Sequence, residues 1–296
     1  MTSTFPRWAN DSTPPFVYEL SKQLATKMEI IVLAPFSNGS KKFEEMNGMK
    51  IHRFNYWPFK KKLADGAILP NLKTNQLFYF QVPILFIYEY IALRRLIKKY
   101  NPNIIHAHWI IPQGIVAAIT KKTSKWNGTI VCTTHGGDIF GLQFLNWLKK
   151  WVINQCTHLT VVSEAIKEEI SKFGISNVPV EIIPMGIDTA KFYNFPKDSS
   201  LEIKYNITGP FLIFVGRLSE KKGVEYLLKA MPLVIKEAPS VKLLVVGNGE
   251  LNNKLKSIVE YLNISKNVIF TGGIANSELA KFYASADIFI GPSIIA

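Results

Sequence analysis

From residue 28 onward the chain repeats one pattern, a short apolar run closed by Gly, Pro, Ser or His and followed by a longer amphipathic segment. The first series of runs is "EIIVLAP" (29–35), "KIHRF" (50–54), "NIIHAH" (103–108), "TIVCTTH" (129–135), "LTVVS" (159–163) and "EIIP" (181–184). A second series, "FLIFVG" (211–216), "KLLVVG" (242–247), "NVIFTG" (267–272) and "DIFIGPS" (287–293), follows the polar stretch 194–209. Short β-rich runs alternating with helical patterns demand a parallel sheet with helical crossovers. The expected fold class is α/β: two Rossmann-like domains whose parallel sheets face a cleft, the second incomplete. Residues 1–184 form the N-terminal domain, 185–209 a connector and 210–296 the C-terminal domain. With 296 residues, 48% of them hydrophobic, the chain has enough apolar material for two cores.

Both ends of the alternation read as cut. Thr13, Pro14 and Pro15 mark a helix start with almost no strand before it, so the first strand is expected to be very short or missing. After "DIFIGPS" only Ile294, Ile295 and Ala296 remain, too few to cover the last strand.

Charge is unevenly placed. Residues 1–150 carry 20 Lys and Arg against 8 Asp and Glu, a balance of +12, while residues 151–296 carry 15 against 14, or +1. The basic half points to an anionic partner, a membrane surface among the candidates. Nucleic acid is not expected, because no helix-turn-helix, RNA-binding signature or aromatic-basic ribbon is present. The stretch "LFYFQVPILFIYEYIAL" (77–93) is broken by Gln81, Pro83 and Glu89 and reads as a core helix. The basic Arg94, Arg95, Lys98 and Lys99 that follow it keep an interfacial role as the alternative. "MTSTFPRWANDSTPP" has no apolar leader core, and Cys132 and Cys156 lack ligand or framework spacing. A cytoplasmic protein, peripheral on the inner face of the membrane, with reduced core cysteines is expected.

The stretch "FVGRLSEKKG" (214–223) ends a strand at Gly216, follows it with Arg217, and sets Lys221 and Lys222 at the start of a helical pattern for which Ser219 reads as N-cap. Two cations at the positive end of a helix are unfavourable unless an anion sits between them. A diphosphate above Gly216, bound by backbone N–H groups, Arg217 and Lys222, would reverse the sign. "TTHGGDIFGL" places His135 and Asp138 beside two glycines at a strand end, where a ligand can approach closely. His106 and His108 alternate along a strand and share a face, without a third residue that would make a metal site. Gly247 and Gly249 in "LLVVGNGEL" read equally well as a tight turn.

These blocks, together with "VIFTGGIANSELAKFYASADIFIGPS", "VVSEAIKEEI" and "IIPMGIDTAKF", resemble the retaining glycosyltransferases of family 4, which have the GT-B fold. The resemblance covers nearly the whole chain. It implies transfer of a sugar from a nucleotide diphosphate sugar to an acceptor hydroxyl in polysaccharide, cell-wall or glycolipid assembly. The C-terminal domain would bind the donor and the basic N-terminal domain an anionic or lipid-linked acceptor. Gly216, Arg217 and Lys222 would clamp the diphosphate, and Thr271, Gly272, Gly273 and Ile274 would lie near the base. His135 would stand beside the reacting sugar with Asp138 as a second catalytic candidate, and neither a metal nor a cofactor is expected. A sugar-nucleotide 2-epimerase of the same architecture, or an inactive nucleotide-sugar-binding fragment, is the competing reading.

Three departures from the family pattern stand out. Asn10 and Asp11 replace a glycine pair in the loop 5–16, and Met185 stands where asparagine is common. The family's acidic block, expected after "DIFIGPS", does not fall within the 296 residues, so turnover by the segment as given is expected to be impaired.

Overall fold

The computed structural model describes residues 1–8, 11, 13–66, 68–190, 192 and 196–294. They divide into two compact units, Met1–Ile187 and Asp188–Ala296, each an α/β structure around its own core. Asn10, Ile295 and Ala296, singled out from the sequence, lie outside the described residues.

In unit 1 the strands are β1 (Ile30–Pro35), β2 (Phe43–Met46), β3 (Met49–Phe54), β4 (Ile104–His108), β5 (Thr129–Thr134), β6 (His158–Val161) and β7 (Val180–Ile182). Its helices are α1 (Phe16–Leu24), α2 (Ile68–Thr74), α3 (Gln81–Tyr100), α4 (Ile115–Thr123), α5 (Gly137–Phe140), α6 (Asn146–Ile153) and α7 (Glu164–Ser171). One sheet runs β1-β3-β2 and the other β4-β5-β6-β7, the latter parallel throughout. The first residues bridge the two. The Met1 ammonium donates to the His106 carbonyl (2.7 Å), the His108 N–H to the Met1 carbonyl (3.0 Å) and the Thr2 N–H to the Leu33 carbonyl (3.0 Å). The first strand expected to be short or missing is therefore a two-residue parallel link between β1 and β4.

β2 escaped the sequence reading. It pairs antiparallel with β3 through Asn47 (φ 49°) and Gly48 (φ 77°), the double positive φ that an Asn-Gly hairpin turn requires. Ile130, Leu159 and Ile153 are wholly buried where β5, β6 and α6 meet. Each such side chain contributes about 1.5–3 kcal/mol of burial free energy. Both cysteines are buried and free.

Helix α3 packs into the core through Leu85 and Leu93, as expected, and also carries an apolar outer face. Its buried positions are Gln81, Leu85, Glu89 and Leu93, whereas Ile87, Tyr88 and Ile91 are exposed. The two polar breaks in the apolar stretch thus point inward. Gln81 accepts from the Leu63 N–H (2.8 Å) and donates to the Lys61 carbonyl (3.2 Å), and Gln113 donates to Glu89 (3.3 Å).

Unit 2 contains α8 (Ser199–Tyr205), β8 (Phe211–Val215), α9 (Val224–Glu237), β9 (Lys242–Val246), α10 (Asn252–Tyr261), β10 (Val268–Gly272), α11 (Asn276–Ser285) and β11 (Ile288–Phe289). The sheet order is β10-β9-β8-β11, all parallel. Residues 185–209, read from sequence as a connector, include α8, capped by Asp198 and packed through Leu201 against the core of unit 2.

Candidate active site

In unit 2 three consecutive turns gather at the carboxyl edge of neighbouring strands. The turn after β8 holds Gly216 and Arg217, the turn after β9 holds Gly247 to Glu250, and β10 ends in Thr271 and Gly272. Backbone hydrogen bonds lace them together. The Gly216 N–H donates to Val246 (3.0 Å), Leu218 to Asn248 (3.0 Å), Leu251 to Leu218 (3.0 Å) and Gly247 to Gly272 (2.8 Å). The glycines are needed for this approach. A Cβ on Gly247 (φ +135°) would overlap the Gly216 carbonyl oxygen, and one on Gly249 would strike the Leu218 backbone. The open choice for "GNG" resolves as close backbone packing beneath the Arg217 turn.

Arg217 is part-exposed on this edge, and its Nε donates to Glu250 at 3.1 Å. Lys222 is exposed and, among the described residues, makes no ion pair. Ser219 does not cap a helix as expected. The Lys222 N–H closes on the Ser219 carbonyl (3.1 Å), and residues Glu220–Lys222 form one 3-10 turn. Gly223, at φ 64°, then breaks the direction before α9 begins at Val224, because only a left-handed residue turns the chain into the new axis here. The Pro292 carbonyl packs against the α-carbon of Gly223, and the Ile294 N–H donates to Lys221 (3.0 Å). The lysines and Arg217 therefore sit on a turn braced from behind by the segment after β11.

Gly272 (φ 73°) and Gly273 lie beside Asn248. In the amide orientation that satisfies both ends, the Asn248 oxygen accepts from the Gly273 N–H at 3.1 Å. The Thr271 hydroxyl turns to the Gly272 carbonyl (3.0 Å), and Ile274 packs partly buried against the core with Phe282.

In unit 1 the carboxyl edge of β4 and β5 carries a stack of imidazoles. His106 and His108 lie ring on ring (centroids 4.3 Å), and His108 stacks on His135 (5.4 Å) with Nδ1 to Nε2 at 3.2 Å. His106 Nε2 pairs with Thr133 Oγ1 at 2.6 Å, and Thr133 pairs with Thr160 at 2.5 Å. Phe16 and Trp109 flank His135 at 4.9 and 4.8 Å. Burial in this aromatic setting holds His106 and His135 down to about 4 and His108 well below its ordinary value, so all three rings are neutral at pH 7.

Asp138 does not join His135. It is buried, its Oδ2 accepting from the Ile110 N–H (2.6 Å) and its Oδ1 from the Thr134 hydroxyl (2.6 Å). Each oxygen accepts one bond from inside the unit. Ile110, which donates to Asp138, follows Trp109 directly. Trp109 has φ 75°, a strained conformation for a bulky residue, and its indole rests on His135. The Trp109 N–H bond to Thr133 (2.7 Å) and the Ile110 bond to Asp138 hold that conformation. Gly136, at φ 90°, permits the turn, and Gly137 is exposed with open space around its α-carbon.

Lys149 escaped the sequence reading. It is wholly buried, its ammonium donating to the carbonyls of Ile139 (2.8 Å) and Gly141 (2.6 Å) and to Asn146 (3.0 Å), so it ties off the end of α5 below His135. The available signal was a lysine on the apolar stripe of α6, in register with Val152 and Ile153. In the loop 5–16, Asp11 is enclosed by Arg7 (2.7 Å) and Thr13 (2.9 Å). Burial alone would raise its carboxyl, but these bonds hold it well below the usual carboxylate range. Among the described residues no group of three His, Cys, Asp or Glu side chains is placed to hold a metal.

Two Rossmann-like units, each built on parallel strands, are the architecture of the GT-B fold. The same architecture occurs in sucrose-phosphate synthase from Thermosynechococcus elongatus, with a TM-score of 0.74 and 18% identity over 94% of this chain and 69% of that one. Anabaena HepE in complex with UDP-glucose matches with a TM-score of 0.67 and 16% identity, over 99% and 72% of the two chains. Residues 15–191 match the family described as Glycosyltransferase Family 4, and 201–295 match Glycosyl transferases group 1. The chain belongs to glycosyltransferase family 4. Among curated relatives, the α-monoglucosyldiacylglycerol synthase of Streptococcus pneumoniae is 35% identical over 66% of this chain and 48% of its own length. The GDP-mannose-dependent α-(1-6)-phosphatidylinositol monomannoside mannosyltransferase of Mycolicibacterium smegmatis is 24% identical over 91% and 66%. The chain thus spans about half of the first of these relatives and about two thirds of the second.

Proposed function

We propose that the chain is the catalytic portion of a retaining glycosyltransferase that moves a sugar from a nucleotide diphosphate sugar to an acceptor hydroxyl in glycolipid or polysaccharide assembly. The observation that carries this reading is the convergence of Arg217, Lys222 and the glycine-laced turns on one strand edge of unit 2. As the glycosidic bond breaks, negative charge grows on the departing diphosphate. Arg217 and Lys222 would then bind the transition state more tightly than the ground state, which is what accelerates a reaction. In the absence of an anion, Glu250 occupies Arg217 in an exposed pair worth at most about 1 kcal/mol, a weak competitor for a diphosphate.

His135, neutral at pH 7, would orient the sugar by hydrogen bonding rather than donate a proton. Its Nε2 is engaged by His108, leaving Nδ1 for a hydroxyl. Trp109 and Asp138 would serve as positioning residues. The named lipid acceptors of the two curated relatives support a lipid-linked acceptor on the basic half. Thr271, Gly272 and Gly273 would line the base, with Ile274 contributing packing.

Calorimetric titration with UDP-glucose and GDP-mannose tests the clamp. At least one donor should bind, and Arg217→Ala should weaken it about 10- to 100-fold, the worth of a charge-assisted hydrogen bond. Equal affinity in both proteins would remove Arg217 from the site. Donor incubated alone and converted to its 2-epimer would instead identify an epimerase.

A further inference from the structure

We propose that α3 and the turn before it form a docking face for the surface of an anionic lipid bilayer. The segment Gln76–Tyr100 is long and apolar enough to cross a membrane by composition, yet only 22% of its apolar window is buried. Leu85 and Leu93 turn into the core of unit 1, and a second apolar stripe is left on the outer side. Gln81 and Glu89 face the unit, while Phe80, Ile87 and Ile91 are 71%, 55% and 37% exposed. The exposed positions 80, 87 and 91 continue at helical spacing into Arg95 and Lys98, both exposed, so one outward stripe begins apolar and ends cationic.

Crossing the bilayer is ruled out by the inner face. Gln81 is fixed to the backbone of Lys61 and Leu63, Glu89 to Gln113, and Leu85 and Leu93 belong to the core of unit 1. A helix held this way can lie on a membrane with its outer stripe in the headgroup boundary. The bond from Gln81 to the Lys61 carbonyl also brings the exposed segment Phe59, Lys60 and Lys61 beside the start of α3. Cations therefore flank the apolar stripe at both ends. A second copy packed on the same face would be hard to pair without setting cation near cation, whereas an anionic headgroup layer complements both ends at once. Exposed Tyr79 and Tyr88 have the amphipathic rings that settle at the headgroup level.

For its purpose the inference rests on the reading of a lipid-linked acceptor, but its measurement needs neither donor nor acceptor. The chain is sedimented with vesicles of phosphatidylcholine alone and of phosphatidylcholine mixed with phosphatidylglycerol, at low and at physiological salt. It should pellet with the anionic vesicles, less so as salt rises. Ile87→Glu/Ile91→Glu should reduce pelleting at least tenfold. Arg95→Gln/Lys98→Gln should lower partition about fivefold per cation removed. Circular dichroism melts check folding. If the glutamate variant fails to fold, the Arg95/Lys98 variant decides, because both side chains lie in solvent. No binding to anionic vesicles, equal binding to both vesicle types, or wild-type binding by a folded variant would overturn the proposal. So would a dimer in sedimentation velocity that Ile87→Glu/Ile91→Glu dissolves without any vesicle binding. Failure here with the Arg217→Ala titration intact would leave glycosyl transfer standing and remove only the membrane face.

Discussion

Three imidazoles share one stack in unit 1, and a proton on any of them would be placed in a buried aromatic setting. His106 and His135 have folded values of about 4 against 6.5 for an ordinary imidazole, so the folded state binds fewer protons than the unfolded one. Their contribution to stability is fully present above about pH 6.5 and is lost as pH falls toward 4. Thermal melts should therefore decline across that window, by about 1–3 kcal/mol for each histidine. His106→Gln, which keeps a group for Thr133, should make the decline shallower; an unchanged slope would show that these rings do not govern acid stability. At this scale the positions of His135, just after β5, and of Arg217, two residues after β8, were legible from the apolar runs that precede them. The surroundings of Asp138 were not legible. Its neighbours Ile110 and Thr134 come from two different strand ends, and nothing in the spacing announces that they take both of its oxygens.

Among the elements, α3 shows most clearly where pattern reading fails. Apolar periodicity is normally assigned to the inside, and in α3 the inside holds a carboxyl. Burial pushes Glu89 up to about 7, and among the described residues its Oε2 has no hydrogen-bond partner, as is also true of the buried Gln113 Oε1. The folded value lies above the unfolded 4.5, so the contribution of Glu89 is present below about pH 4.5 and is lost as pH rises through 7. Glu89→Gln keeps the shape and cannot ionise, so it should raise stability at pH 8 by about 1–3 kcal/mol and change little at pH 5. Denaturant unfolding at the two pH values checks this; a loss at pH 8 would mean the charged form is held by contacts of its own. The Asn47–Gly48 hairpin was written plainly in the sequence, yet its strand β2 is short and acidic, and it was passed over for want of apolar alternation. The Ser219 cap failed for a different reason, since Gly223 in the left-handed region divides one expected helix into a 3-10 turn and α9.

Across the molecule, alternation of apolar runs exposed the parallel sheets because the central strands are buried on both faces, as in β9 with its Leu243, Leu244 and Val245. Each unit has buried clusters of its own. Leu243→Ala, at a wholly buried site, should cost unit 2 about 2–5 kcal/mol. Hydrogen exchange should show the loss of protection confined to residues after 188. Spread of the loss into β4 to β7 would show that the two halves unfold as one. The brace behind the Arg217 turn has a practical consequence. Both native thiols are buried, so Ser293→Cys would give the chain a single accessible one, one residue from each of the contacts that Pro292 and Ile294 make with that turn. A dye attached there would report occupancy of the proposed anion clamp as a change in emission.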